Sequence, residues 1–239
     1  MIPRIAVIIT AAGLSLRMGG GKKEYLPLPG RFDGAGKPLS VLGASLLVFA
    51  ALRGVETIVI THPPGGEAAL REALPAPEGA GVILVPGGES RRASVQRALE
   101  ALASPQVALI HDGARPWVDG ELALRVAGAA LEHGAAIPLL PLSETPKEHD
   151  GAGLITGHLR RGRVGLAQTP QGFLWPGILE AHRKAERRER EEGFEYTDDA
   201  EVWAEFMGPV AVVPGSARNR KITFPGDLEA GPEVPPCSA

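Results

Sequence analysis

Between Thr10 and Lys23 the chain sets small residues beside cations: Thr10-Ala11-Ala12-Gly13-Leu14-Ser15-Leu16-Arg17-Met18-Gly19, then Lys22 and Lys23. Ala and Gly let a backbone come close to a base and ribose, and its free N–H groups can face a polyphosphate. Arg17, Lys22 and Lys23 would supply the countercharge. The spacing is not a Walker A motif, because no Gly-Lys-[Ser/Thr] follows. Ser15 also stands where the dinucleotide fingerprint needs a second Gly. The chemistry this favours is nucleotide binding.

Further phrases add polar groups at the ends of apolar runs. In Gly87-Gly88-Glu89-Ser90-Arg91-Arg92-Ala93-Ser94-Val95, two Gly permit close approach and a helix N-terminus offers free N–H groups, with Ser94 in reach of a base edge. A tight turn with a helix cap would account for the same residues. Leu109-Ile110-His111-Asp112-Gly113-Ala114-Arg115-Pro116 places a carboxylate and a guanidinium where a buried run ends. They could form a local salt bridge, or a carboxylate near ribose or metal with an arginine gripping phosphate. Thr169-Pro170-Gln171-Gly172-Phe173 alone reads as a turn. Thr197-Asp198-Asp199-Ala200 reads as a helix N-cap with an acidic first turn. Asn219-Arg220-Lys221-Ile222-Thr223 puts a lysine in a short strand after Pro214-Gly215.

The elements that must hold these phrases alternate. Ile5–Ile9, Thr57–Thr61, Gly81–Val85, Val107–His111 and Ala135–Leu140 are short apolar or β-branched runs of buried-strand type. Between them, Arg92–Leu102 carries Val95, Ala98, Leu99 and Leu102 on one helical stripe, and Glu121–His133 carries Leu122, Val126 and Ala129. Alternating β and α units imply an α/β fold, a mostly parallel sheet with helices on both faces. Ligands of such sheets bind at the carboxyl ends of the strands, where the loops after Ile9, Val85 and His111 emerge. Pro27–Lys37 reads as an exposed, mobile loop and 142–168 as an extended arm. His182–Glu192 reads as a solvated helix face, and 229–239 as a flexible tail. Residues 1–228 then form a single domain.

The chain has 239 residues, enough for one well-buried domain, with 44% hydrophobic and 22% charged residues. At 5% aromatics the core must come mostly from Ala, Val, Leu and Ile. A net charge of -3 disfavours a nucleic-acid partner, which needs a basic face, so any anion site must be a local cluster of Arg and Lys. One cysteine, Cys237, leaves no internal disulfide framework or cysteine-based metal site. The N-terminal apolar run is too short for a signal peptide or a membrane span, so a cytoplasmic protein is expected.

The order of these phrases resembles the 2-C-methyl-D-erythritol 4-phosphate cytidylyltransferase family of the non-mevalonate isoprenoid pathway. The resemblance runs from Ile5 to about Leu228. It rests on Ala-Ala-Gly…Arg-Met-Gly, Lys-Glu-Tyr-Leu, Gly-Gly…Arg-x-x-Ser-Val, His-Asp-x-Ala-Arg-Pro, Thr-Pro-Gln-x-Phe, Thr-Asp-Asp-Ala and Lys-Ile-Thr…Asp-Leu. It implies a Rossmann-like nucleotidyltransferase fold and a homodimer whose β-arm reaches into the partner's site. It also implies transfer of a cytidylyl group from CTP to a polyol phosphate, with Mg²⁺ and release of pyrophosphate.

By that resemblance Arg17 and Lys23 stabilise the polyphosphate and transition state, and Lys221 neutralises charge at the α-phosphate. Ala11, Ala12, Gly13, Gly88 and Ser94 form the cytosine and ribose pocket. Asp112 sits between ribose and the second substrate, near the metal. Arg115, Thr169 and Thr197 line the methylerythritol phosphate site, and Thr145 and Arg161 on the arm serve the neighbouring subunit. His111 packs at its strand end rather than acting as a base.

The chain departs from the family pattern at several positions. Gly113 replaces Ala, Glu144 replaces Asp, and Pro146 follows Thr145. Arg220 replaces an apolar residue, Glu24 replaces Gln, Arg31–Gly36 is an insertion, and a closing helix is lacking after Leu228. A cytidylyltransferase for another polyol phosphate, such as ribitol 5-phosphate, shares the loop and the Thr-Pro-Gln phrase. A non-catalytic nucleotide-binding protein is disfavoured by Arg17, Lys23, Asp112 and Lys221 occurring together.

Overall fold

Ile5 to Ile9 are all buried, which a strand achieves only when both faces of its sheet are covered. Alternate side chains go to opposite sides. Ile5, Val7 and Ile9 join one apolar cluster with Leu42, Leu46, Phe49, Leu122 and Val126. Ala6 and Ile8 join another with Val95, Leu99, Ile178 and Trp203. The computed structural model describes residues 2–13, 21–77 and 79–229.

Along the chain, β1 (Ile5–Thr10) leads to a hairpin of β2 (Pro27–Phe32) and β3 (Pro38–Ser40). Then α1 (Val41–Ala50), β4 (Val55–His62), α2 (Glu67–Ala73), β5 (Gly81–Pro86), α3 (Arg91–Glu100) and β6 (Val107–Asp112) alternate. Next come α4 (Gly120–His133), β7 (Ala135–Pro141), the short pair β8 (Lys147–His149) and β9 (Ile155–His158), then β10 (Gly165–Ala167) and β11 (Gln171–Leu174). The described chain closes with α5 (Gly177–Glu192), α6 (Asp199–Phe206), β12 (Ala211–Pro214) and α7 (Gly226–Glu229).

The main sheet has eight strands in the order β10-β7-β11-β6-β1-β4-β5, with β12 also on β7. Strands β10 and β11 run against the rest. Helices α1 and α4 cover one face and α3, α5 and α6 the other. The expected α/β architecture with helices on both faces is therefore present.

Chain order reverses between β1 and β6: β1 is followed outward by β4 and β5, and the chain then returns to β6 on the other side. Such a switch point opens a crevice at the strands' carboxyl ends. Register sets Thr10 level with both Asp112 and Thr61, so the loops after β1, β4 and β6 leave the sheet together.

Four expectations change. Pro27–Lys37 is not simply a loop, because β2 pairs with β3 across it. Of the arm, only 147–158 forms a separate hairpin, since β10 returns to pair with β7. Lys221 lies outside any strand: this segment is held by side-chain bonds and by Ile222, whose N–H donates to Ala114 O at 2.8 Å. His182 is fully buried although it begins the charged run, because it faces α6 rather than solvent. Within the described residues the chain ends in the single turn of α7, and most of the expected tail, 230–239, lies outside them.

Candidate active site

A cavity of about 630 Å³ sits over the switch point, walled by Thr10, Ala12 and Gly13 after β1 and by Asp112 to Ala114 after β6. The β5–α3 turn closes one side with Gly88 to Arg91 and Ser94, while Lys23 and Lys221 enter from outside the sheet. Close approach of these loops depends on small residues. A Cβ on Gly87 would lie 2.4 Å from the Cβ of Ala12, and one on Gly113 would lie 2.9 Å from Thr10 O. Gly113, where the family pattern has Ala, thus suits a tight contact between the β1 and β6 loops.

The β5–α3 turn is held by two serines. Ser90 caps α3, its Oγ accepting from Ala93 N at 3.0 Å. Ser94 Oγ accepts from Gly88 N at 3.0 Å and donates to Ser90 O at 2.9 Å. The turn therefore presents its remaining backbone N–H groups in a fixed array beside the cavity.

Asp112 is the centre of the charge pattern. Lys221 Nζ lies 3.0 Å from its Oδ2 and Arg115 Nε donates to the same oxygen at 3.3 Å. Burial pushes the carboxyl up, but Lys221, Arg91 and Arg115 outweigh it and hold Asp112 well below the ordinary carboxylate range. Behind it, Asp112 N–H donates to Thr169 Oγ1 at 3.0 Å, and Thr169 Oγ1 lies 3.0 Å from His111 Nδ1.

The His111 Nε2 lies 3.1 Å from Arg115 O, an acceptor, so Nε2 carries the proton and Nδ1 accepts from the threonine. Burial pushes this imidazole down to about 4, in keeping with a neutral ring. Phe49 packs edge-on against it at 4.9 Å.

The C-terminal segment is clipped onto this framework. Asn219 Nδ2 donates to Thr169 O at 2.7 Å, and Asn219 O accepts from Arg115 Nη1 at 2.9 Å. Gln168 holds Ser216 through both ends of its amide, at 2.9 Å each. Lys23 Nζ donates to Ile222 O at 2.8 Å, so both lysines of the cavity are fixed by or on the same segment.

The family model for 2-C-methyl-D-erythritol 4-phosphate cytidylyltransferase matches residues 5–232. The chain belongs to this family. It is 39% identical over 226 residues to the 2-C-methyl-D-erythritol 4-phosphate cytidylyltransferase of Thermus thermophilus, covering 94% of this chain and 93% of that one. It is also 39% identical to the bifunctional enzyme IspD/IspF of Rhodopseudomonas palustris, but spans only 54% of that relative's length. Among solved structures, the 4-diphosphocytidyl-2C-methyl-D-erythritol synthase of Anaerococcus prevotii superposes with a TM-score of 0.76 at 28% identity, covering 94% of this chain and 92% of that chain. The crystal structure of the Thermus thermophilus cytidylyltransferase gives 0.71 at 34% identity, covering 94% and 95%.

Of the family positions expected from the sequence, Ala12, Gly13, Lys23, Gly88, Ser94, Asp112 and Lys221 converge on the cavity. Ala11 is buried just behind it, its N–H donating to Thr61 Oγ1 at 3.1 Å. Arg17 lies outside the described residues. Arg115 and Thr169 stand behind Asp112 rather than on the wall. Thr169 is 4% exposed with its hydroxyl taken up by the Asp112 backbone N–H and by His111, so it anchors the end of β6.

Thr197 is exposed and donates to Glu201 Oε2 at 2.8 Å, while the helix cap that its phrase also suggested is Asp198, whose Oδ1 accepts from Glu201 N at 2.9 Å. Thr145 and Arg161 are exposed on the arm side, Arg161 Nη1 donating to Ser143 O at 2.6 Å, away from this chain's own cavity. Sequence reasoning missed Arg91, Glu89, Glu195 and Glu24 on the cavity wall. All but Glu195 stood inside a quoted phrase, but only the fold turns Arg91 inward.

Proposed function

We propose that this chain transfers a cytidylyl group from CTP to 2-C-methyl-D-erythritol 4-phosphate, giving 4-diphosphocytidyl-2-C-methyl-D-erythritol and pyrophosphate for isoprenoid precursor synthesis. The observation that carries it is the convergence of Lys23, Lys221 and Asp112 with the β1 and β5–α3 loops at the switch point. The attacking group is a phosphate oxygen, ionised at neutral pH, so no general base is needed. It forms a bond to the α-phosphorus of CTP as the bond to the bridging oxygen of pyrophosphate breaks. Repulsion between anions and the charge on five-coordinate phosphorus oppose this step, and fixed lysines and backbone N–H groups lower that barrier by positioning and electrostatics. Arg17 belongs to the same set of cations by family resemblance.

Mg²⁺ fits this donor set. Among the described residues no group of three or more His, Cys, Asp or Glu side chains could hold a metal, so Asp112 would give one ligand and the CTP phosphates and water the rest, as Mg²⁺ prefers. When bound, it would neutralise phosphate charge at the reacting centre.

A second copy of the chain is the other partner in this reading. Leu154, Ile155 and Leu166 are 71%, 59% and 53% exposed on the arm and the adjoining sheet edge, an apolar surface suited to burial between protomers. Thr145 and Arg161 would then reach the neighbouring site and hold the polyol phosphate. Among the described residues no helix is long and apolar enough to cross a membrane. A cytoplasmic location goes with the use of CTP.

Pyrophosphate release with CTP and Mg²⁺, run in parallel on methylerythritol 4-phosphate and ribitol 5-phosphate, tests the reading. Strong preference for the former is expected. Preference for ribitol phosphate would keep the chemistry and overturn the acceptor, and release with neither would overturn both.

A further inference from the structure

Two consecutive arginines on the first turn of α3 go separate ways. Arg92 is buried, its Nε donating to Glu189 Oε2 at 2.5 Å and its Nη1 to His182 O at 3.1 Å, so it clamps α3 to α5. Arg91 instead lines the cavity with its side chain 32% exposed, and its Nη2 donates to Asp199 Oδ2 at 2.6 Å. Asp199 is fully buried at the start of α6, and its Oδ1 lies 3.2 Å from Nε2 of His182, also fully buried. Among the described residues, neither that oxygen nor either ring nitrogen has an aligned hydrogen-bond partner. Helix packing alone does not call for this: an apolar pair would join α5 to α6 without burying a carboxylate and an imidazole. What the carboxylate does accomplish is to fix a guanidinium at the cavity wall.

We propose that Asp199, backed by His182, is a positioning residue that holds Arg91 in the cavity wall as a phosphate-binding group. The inference rests on the cytidylyl-transfer reading and adds a cation to it, on the wall contributed by α3. The bond to Asp199 takes one of five guanidinium N–H donors, so the fork keeps donors for an anion. Arg91 and Asp112 line the same cavity, as do Lys23 and Lys221. The ligand chemistry is a phosphate oxyanion. It belongs either to the CTP polyphosphate or to the polyol phosphate.

The test uses the full chain with Arg91→Gln, Arg91→Lys, Asp199→Asn and His182→Gln, and Arg92→Gln as structural comparator. Initial rates of pyrophosphate release are measured against each substrate in turn. Arg91→Gln and Asp199→Asn are expected to raise KM for one phosphate substrate at least ten-fold, and that substrate identifies the phosphate held. His182→Gln should move the same KM by a smaller factor, and Arg91→Lys should recover part of the Arg91→Gln loss. Arg92→Gln should lower the melting temperature and leave both KM values alone. If Arg91→Gln and Asp199→Asn lower only the melting temperature, with both KM values and kcat unchanged, the group is structural and the proposal falls. Binding of inorganic pyrophosphate and inorganic phosphate is measured alongside by calorimetry. Should the wild type bind an anion without turning over, the reaction assigned to the chain is wrong. Arg91 is then judged on that binding alone, ten-fold weakening supporting the proposal and unchanged affinity overturning it. A wild type that binds neither anion and shows no turnover overturns both.

Discussion

Around Asp112, segments far apart in the sequence lock onto one another, whereas the β8–β9 hairpin contributes almost nothing buried. Thr169, His111, Arg115, Asn219 and Lys221 come from β6 and the loop after it, the turn before β11 and the C-terminal segment, and hydrogen bonds or ion pairs link them in one network with Asp112. From 147 to 158 every residue except Gly157 is exposed, Leu154 and Ile155 included. The first region carries its own order and can hold charge in a fixed array before any substrate arrives, the condition for electrostatic catalysis. The second has no core of its own, because a lone two-stranded hairpin is marginal in water. Its apolar side chains, Leu154 and Ile155, are covered by none of the described residues. The charged array is thus built into the interior around Asp112, and the least anchored extension carries the exposed apolar surface.

The sharpest test of the first half is Lys221→Ala. Removing this cation should lower the rate of pyrophosphate release about 10²–10³-fold, the usual loss for one preorganised charge-stabilising donor. Lys221 is 41% exposed and Arg115 remains beside Asp112, so the melting temperature should stay close to that of the wild type. Rates and thermal melts on the same preparation separate the two effects. Turnover equal to the wild type would remove Lys221 from the mechanism.

Legibility in the sequence followed the same divide. Strands buried on both faces, such as Ile5–Ile9 and Val107–His111, carry an apolar run that no surface element would tolerate, and each was visible within about one residue of its end. The loop after β5 was visible too, since Gly87 and Gly88 mark points of close backbone approach, whereas the tight contact at Gly113 emerged only from the fold. Side-chain direction was less legible. Nothing in Ser90-Arg91-Arg92 says which arginine faces the cavity, because that depends on where α5 and α6 pack. The Lys221 segment looked like a strand from its composition, yet side-chain clips from Gln168 and Arg115 hold it instead. Thr169 was legible as a site residue only by family resemblance, and the structure gives it a physical role behind Asp112.

The buried order around Asp112 should also show in the pH dependence of stability. His111 is held neutral with its pKa lowered to about 4, chiefly by burial, while in the unfolded chain it protonates near 6.5. Below about pH 6.5 the unfolded chain therefore takes up a proton that the folded chain refuses. Stability falls as pH drops from 6.5 toward 4, by at most about 3 kcal/mol, and this contribution then levels off. Asp112 and Asp199, both lowered, act in a separate and more acidic window. Urea unfolding at pH 7, 5.5 and 4.5 should show the wild type losing stability across this range. The difference from His111→Gln isolates the His111 share. Equal slopes in the two proteins would mean that the ring is not the group responsible.

The arm carries the smallest expected effect on the chain itself and a decisive one on assembly. Leu154→Ser with Ile155→Ser removes apolar area that a single chain leaves in water, so the free energy of unfolding of the isolated protomer should change by less than about 0.5 kcal/mol. Sedimentation equilibrium should nonetheless show a wild-type dimer and a variant shifted to monomer at the same micromolar concentration. If Arg161 serves the neighbouring site, the variant should also lose activity on dilution sooner than the wild type, while Lys221→Ala stays dimeric and slow at every concentration. A wild type that is monomeric at full activity would show that one chain completes the site, and the exposed Leu154 and Ile155 would then need another occupant. A variant that stays dimeric would move the interface to the sheet edge at Leu166, 53% exposed on β10.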